Sequence, residues 1–293
     1  MRYHCYGVTI GSEVPLYLEQ SDDEPDIHLR RARLQIPPGP TRILRTGRDG
    51  RPLEWKVAVA DETATFWFED AGTFRVRTRE QTIDVDELAS DARMVRYLLV
   101  TGLSAALSAM GRLVLHGGTV VGPGGAVAVC GPSGRGKSTT IVSLFATGLG
   151  VLHDDLTVLS DDWTAYPGPR QARIDPGTAA CLGLESPADA EGEFSVPLPA
   201  ASPSPLRAVL MLGPRGREPA LRRLHQREAA VRLGQEAGLW VLLTEEARRA
   251  RFELLARLAA DIPCYAWSAP HGVDRAVTAA ADVVTEVATA PGA

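Results

Sequence analysis

The sequence predicts an α/β protein: a small β-rich N-terminal domain over residues 1–85, followed by a second domain over 86–293 in which strands and helices alternate. Three patterns predict it. Residues 1–85 hold short β-branched and aromatic runs between turn residues, one long helical pattern covers about 86–110, and from Gly111 apolar strands alternate with helices around a glycine-rich turn. With 293 residues the chain has material for two cores.

YHCYGVTI opens the first domain, and WKVAVA, TATFWFED and TFRVRTRE follow as strands separated by Ala60-Asp61-Glu62 and Asp70-Ala71-Gly72. This spacing predicts an antiparallel meander. Ile36-Pro37-Pro38-Gly39-Pro40 is a loop, because proline lacks an amide donor and restricts the backbone. Trp55, Phe66 and Trp67 alternate as core-facing residues of half-buried strands do. Leu88, Val95, Leu98, Leu99, Leu103, Leu107 and Met110 recur at helical spacing, with Asp86 and Glu87 suiting the positive end of the helix dipole. LVLHGGTVV and GAVAVC then read as strands, Lys137 opens a helix bearing Ile141, Val142, Leu144 and Phe145, and LGVLHDDLTVLS returns to strand. Residues from Glu185 to Pro205 lack periodicity and read as an exposed loop. AVLMLG and CYAWSA read as strands; TEEARRARFELLARLAAD and GVDRAVTAAADVVTEVAT read as helices. Between them, Arg215, Arg217, Arg222, Arg223, Arg227 and Arg232 form a basic stretch whose donor forks could hold substrate carboxylates or phosphate charge, although their interspersion with Glu218, Glu228 and Glu236 is the usual pattern of a solvated helix face.

Composition narrows the partners. Hydrophobic residues make up 45% and charged residues 23%, which excludes wholesale disorder. Thirty-one Lys and Arg against thirty-six Asp and Glu leave a net charge of -5, so no global positive field recruits nucleic acid or an anionic membrane. Cys5, Cys130, Cys181 and Cys264 stand singly, without metal-site spacing, as in a reduced, cytoplasmic protein. No run reaches the roughly 18 apolar residues needed to span a bilayer, and MRYHCYGVTIGSE has no leader-like apolar core.

The strongest local signal is Gly131-Pro132-Ser133-Gly134-Arg135-Gly136-Lys137-Ser138, a full match to G-x-x-x-x-G-K-[ST] with Thr139 next. An apolar strand enters it and a helix leaves it. Its glycines let the backbone turn amide hydrogens onto phosphate oxygens, aided by the helix dipole. Lys137 should reach the β- and γ-phosphates of a nucleotide, and Ser138 should offer its hydroxyl to Mg²⁺. His116 precedes the loop and Asp154-Asp155 follows its helix, both at strand edges. If the acidic pair emerges beside the loop, one carboxylate can hold Mg²⁺ and the other can accept a proton. The same residues also suit a structural histidine and a solvated acidic turn.

LHG at His116, the loop fifteen residues later, Lys137-Ser138 and Asp154-Asp155 together resemble the HPr kinase/phosphorylase family, which shares its kinase domain with phosphoenolpyruvate carboxykinase. The resemblance covers about residues 110–160 and implies a P-loop kinase core of that type. It implies that His116 lies near the transferred phosphate, that Lys137 and Ser138 bind ATP and Mg²⁺, and that Asp154 contacts the metal while Asp155 is the base. The family's glycine-rich segment after the aspartates is replaced by YPGPRQARIDPGTAACLGL. The N-terminal YHCYGVTIGSEVPLYL and EPDIHLRRAR look more like the shorter relatives that include lasso-peptide kinases. That branch implies a peptide or protein acceptor with a serine hydroxyl, and the family implies a homo-oligomer. The alternatives are a metabolic regulator acting on HPr, a small-molecule kinase and a nucleotide-binding regulatory module.

Overall fold

The computed structural model of the chain describes residues 1–46, 52–86, 92–174, 176–183, 194–239 and 245–290. Its backbone contacts divide it into two units, one built on Met1–Arg112 and the other on Leu113–Gly238 with Thr244–Ala293. The helical segment expected to open the second domain therefore belongs to the first unit, and the division falls after Arg112 rather than near residue 85.

Among the described residues the first unit holds a nine-stranded sheet. Its strands are β1 (Arg2–Cys5), β2 (Val8–Ser12), β3 (Glu19–Gln20), β4 (Ile27–Ala32), β5 (Thr41–Thr46), β6 (Pro52–Ala60), β7 (Thr63–Phe68), β8 (Gly72–Arg77) and β9 (Thr82–Asp86). β6 to β8 form the antiparallel meander that the turn spacing predicts, and β9 extends it by a further antiparallel strand. The whole sheet is nevertheless mixed, because β4 lies parallel to both β2 and β9. Side-chain alternation buries Ile10, Ile27, Leu29, Phe66, Phe74, Val76, Ile83 and Val85 on one face. Phe66 is wholly buried as expected, whereas Trp55 and Trp67 are half-buried, and Lys56 Nζ lies 5.1 Å over the Trp67 ring.

The segment 86–110 is not one regular helix. α1 (Ala92–Tyr97) passes into a π-helical turn, Leu98–Gly102, and then α2 (Leu103–Ala109); Asp86, expected at the helix N-terminus, instead ends strand β9, and Glu87 and Leu88 lie outside the described residues. Leu98 and Leu103 are five apart and both buried. An α-helix would splay them, and a π-turn, closed between residues five apart, puts them on one face. Tyr97 docks this segment by stacking on Phe68 at 4.0 Å.

The second unit continues with β10 (Leu113–Gly122), β11 (Gly125–Cys130), α3 (Lys137–Ala146), β12 (Gly150–His153), β13 (Leu156–Leu159), β14 (Thr164–Ala165), β15 (Gln171–Ile174) and α4 (Pro176–Cys181). Then come β16 (Phe194–Pro197), β17 (Ser204–Leu212), β18 (Ala220–Arg223), α5 (Gln226–Glu236), α6 (Glu245–Asp261), β19 (Cys264–Ser268) and α7 (Val273–Thr289). The expected loop of 185–205 is corrected at Phe194–Pro197, which pairs with β15 as a strand; residues 184–193 lie outside the described ones. The arginine-rich stretch is likewise more than a helix face, since Arg222 and Arg223 lie in β18 and only Arg227 and Arg232 in α5.

This sheet is mixed as well. β11, β17 and β19 run parallel, while β10 and β18 are antiparallel to their neighbours. Val127, Val129, Ala208 and Leu210 pack against Ile141, Val142 and Leu144 of α3 and Val284 of α7 in one core. Alternation sends Ala126, Ala128 and Cys130 to the opposite face, where α5 lies. Cys5, Cys130 and Cys264 are free and buried, and burial pushes the Cys264 thiol up to about 12. Among the described residues no helix is long and apolar enough to cross a membrane.

Candidate functional site

β11 ends at Cys130 and the chain turns through Gly131–Gly136 into α3. Gly131, Gly134 and Gly136 have φ of 143°, 77° and 88°, values that L-residues rarely adopt, so the loop's shape depends on them. Pro132, Ser133, Gly134 and Arg135 are exposed, Ser138 and Thr139 half-buried. Lys137 is only 8% exposed: its ammonium folds back and donates to Gly131 O at 2.8 Å. The first-turn amides of α3 precede any intrahelical acceptor and so remain available to an anion. Thr139 Oγ1 instead lies 3.0 Å from Thr178 Oγ1, tying α3 to α4.

A fork in β10 positions the other groups. Through His116 this strand pairs with β13, and from Gly117 onward it pairs with β11. At the change of partner, His116 lies opposite Leu156 and Gly117 opposite Cys130, so the turn before β13 and the loop after β11 open on either side of His116. Gly117 N donates to Asp155 O at 3.0 Å and holds that turn in place. The glycine pair is needed for this approach: a Cβ on Gly118 would lie 1.9 Å from Ile141 Cδ1 and 2.7 Å from His153 O.

Within the fork the charged groups sense one another. His116 is exposed at its surface, yet its ring sits in a crowded mouth, and this desolvation, followed by the Lys137 ammonium, pulls its pKa below the ordinary value while Asp155 pushes the other way. It is neutral at neutral pH. The two aspartates differ in burial: Asp154 is 2% exposed and its Oδ2 accepts the Arg173 amide at 3.0 Å, whereas Asp155 is half-buried and its charge acts on both His116 and His153.

His153, missed in the sequence, completes the turn. Its Nδ1 accepts from the amides of Asp155 and Leu156, both at 3.2 Å, which assigns its proton to Nε2, 3.6 Å from Asp154 Oδ1. Burial lowers its pKa to about 4. Ligand atoms of His153, Asp154 and Asp155 lie within 4.8 Å of one another. Hard carboxylate oxygens suit Mg²⁺, and His153, with Nδ1 already occupied by two amides, suits it less. The Arg173 amide orients Asp154 as a hydrogen bond to a metal-binding carboxylate does.

Two further residues join the site from distant sequence. Glu236, at the end of α5, is buried behind the loop; burial raises its pKa, and the Lys137 ammonium and the Gly131 amide draw it back. Arg215, on the connection between β17 and β18, places its guanidinium Nη2 3.4 Å from where a Cβ of Gly136 would stand. Arg215 belongs to the basic stretch that the sequence offers for phosphate or carboxylate charge, whereas nothing local marks Glu236, which reads as one acid of a solvated helix.

Compared with known proteins, no family model matches this chain, and no curated protein matches it.

Proposed function

We propose that this protein is a Mg²⁺- and ATP-dependent kinase with an HPr-kinase-like P-loop core, transferring the γ-phosphoryl group to a serine hydroxyl of a peptide or protein. One observation carries the reading: a glycine-rich loop with a buried lysine and a half-buried carboxylate, Asp155, open on either side of His116. A phosphate-binding loop alone serves many reactions, and an available base beside it suits transfer to a hydroxyl.

The loop amides and Lys137 would hold the β- and γ-phosphates and orient them for in-line attack. Lys137 must first exchange Gly131 O for phosphate oxygens. Asp155 would take the proton from the serine hydroxyl as its oxygen bonds to the γ-phosphorus, while the bridging oxygen leaves with ADP; the proton then passes to solvent. Neutral His116 would lie against the phosphoryl oxygens without adding charge. Ser138 and Asp154 would hold Mg²⁺, which supplies charge neutralisation on the phosphates. The full burial of Asp154 and the greater accessibility of half-buried Asp155 support this division over its reverse. The acceptor we favour is a ribosomal precursor peptide of the lasso type, on the resemblance of the N-terminal segment.

Intact-mass spectrometry of serine-bearing precursor peptides and of HPr, incubated with protein, ATP and Mg²⁺, tests the proposal. Added phosphate on a peptide is expected, with Lys137→Ala slowing transfer at least about a hundredfold. Phosphate on HPr would assign a metabolic regulator. Nucleotide binding without any acceptor modified would point to a small-molecule kinase or a regulatory module.

A further inference from the structure

Two buried charges meet at Gly131. Its carbonyl accepts the Lys137 ammonium at 2.8 Å, its amide faces the Glu236 carboxylate, and a Cβ there would stand 3.0 Å from Leu212 O. Lys137 opens α3 and is 8% exposed; Glu236 ends α5 and is 7% exposed. A buried ammonium and a buried carboxylate sharing one glycine offset each other, and either alone is costly in such a place. The end of α5 is itself fastened, since Arg251 of α6 donates to Ala237 O at 3.3 Å and to Gly238 O at 2.9 Å. Among the described residues, the other titratable or charged groups on elements around this end of α5 are the buried thiols of Cys130 on β11 and Cys264 on β19, and neutral His116 on β10. Arg222 on β18 is paired with Glu228 of α5 itself.

We propose that Glu236 is a positioning residue of the empty loop: its carboxylate is the counter-ion that keeps Lys137 folded onto Gly131 O, and a triphosphate that draws Lys137 away leaves Glu236 to take one proton from solvent. The inference rests on reading the loop as a nucleoside-triphosphate site. Phosphates bring several negative charges to the loop just as the lysine leaves the carboxylate. Burial already favours the protonated acid, and only Lys137 and the Gly131 amide oppose it. A bound state that holds one more proton is disfavoured as pH rises, so triphosphate affinity falls with increasing pH. The carboxyl thereby makes nucleotide binding proton-linked without touching the nucleotide.

Calorimetric titration with ATP and Mg²⁺ in buffers of different ionisation enthalpy counts the protons taken up on binding. Between about pH 7 and 8.5, wild type should take up as much as about one proton more per ATP than Glu236→Gln, which has no site for it. Its affinity should fall, relative to that variant, by up to about tenfold per pH unit. Glu236→Asp, which keeps a titratable group, should keep most of the uptake, and circular dichroism would show that both variants fold. Equal uptake in wild type and Glu236→Gln would overturn the inference. Loss of the uptake in Glu236→Asp as well would assign it to the shape of the loop and overturn it too. Wild-type protein that binds no ATP would remove the phosphate-loop reading itself, a result distinguishable from the other two.

Discussion

Asp154 and Asp155 are adjacent in sequence and opposite in environment. Asp154 is buried and accepts the Arg173 amide, while Asp155 is half-buried and acts on His116, although ligand atoms of the two lie within 4.8 Å of each other. Asp155→Asn should slow phosphoryl transfer by about 10²- to 10⁴-fold with ATP affinity nearly unchanged, as removal of a general base does. Asp154→Asn should instead raise the Mg²⁺ concentration needed for half-maximal activity; single-turnover assays across a metal titration distinguish the two. Glu236 offers a second residue-level test. It places negative charge behind Lys137, so Glu236→Gln should tighten triphosphate binding severalfold, by about 1 kcal/mol of relieved repulsion. A weaker nucleotide complex would show that Glu236 serves the loop's shape rather than its charge.

At the scale of elements, the strand–loop–helix unit was legible because it is local: its glycines, lysine and flanking apolar runs are consecutive. The fork in β10 was not, since LVLHGGTVV reads as one uniform strand and its change of partner depends on chains far along the sequence. The fork explains the glycines after His116. Gly118→Ala would drive a methyl into Ile141 and the His153 carbonyl, and should cost roughly 2–3 kcal/mol in urea unfolding, since backbone forms part of the clash. From Ala92 to Ala109 the helical stretch was legible in its apolar spacing, but its π-turn was not, because it depends on the sheet packed against it, where Phe74 and Ile83 approach Gly102.

For the molecule as a whole, buried His153 links folding to pH. Its folded-state pKa is about 4, below the ordinary histidine value of 6.5, so the unfolded chain takes up the proton first as pH falls. Its contribution to stability is complete above about pH 6.5 and is lost as pH drops toward 4. The shift corresponds to about 3 kcal/mol. Urea denaturation in metal-free buffer at pH 7.5 and 4.5 should show most of that loss in wild type and less of it in His153→Asn, whose amide oxygen can still accept the backbone donors. Equal losses would place the acid sensitivity elsewhere.

By itself, the sequence determined the phosphate-loop motif, the alternation of strands and helices, the meander of the first unit and the candidates at 116, 137, 154 and 155, because each is written in neighbouring residues or a short period. Only the tertiary structure decided that Lys137 is buried, that Asp154 is buried while Asp155 is half-buried, that His153 and Glu236 join the site, and that Arg215 alone of its stretch reaches Gly136. Those facts depend on which strands pair and which helices pack, contacts between residues far apart along the chain that no local pattern encodes.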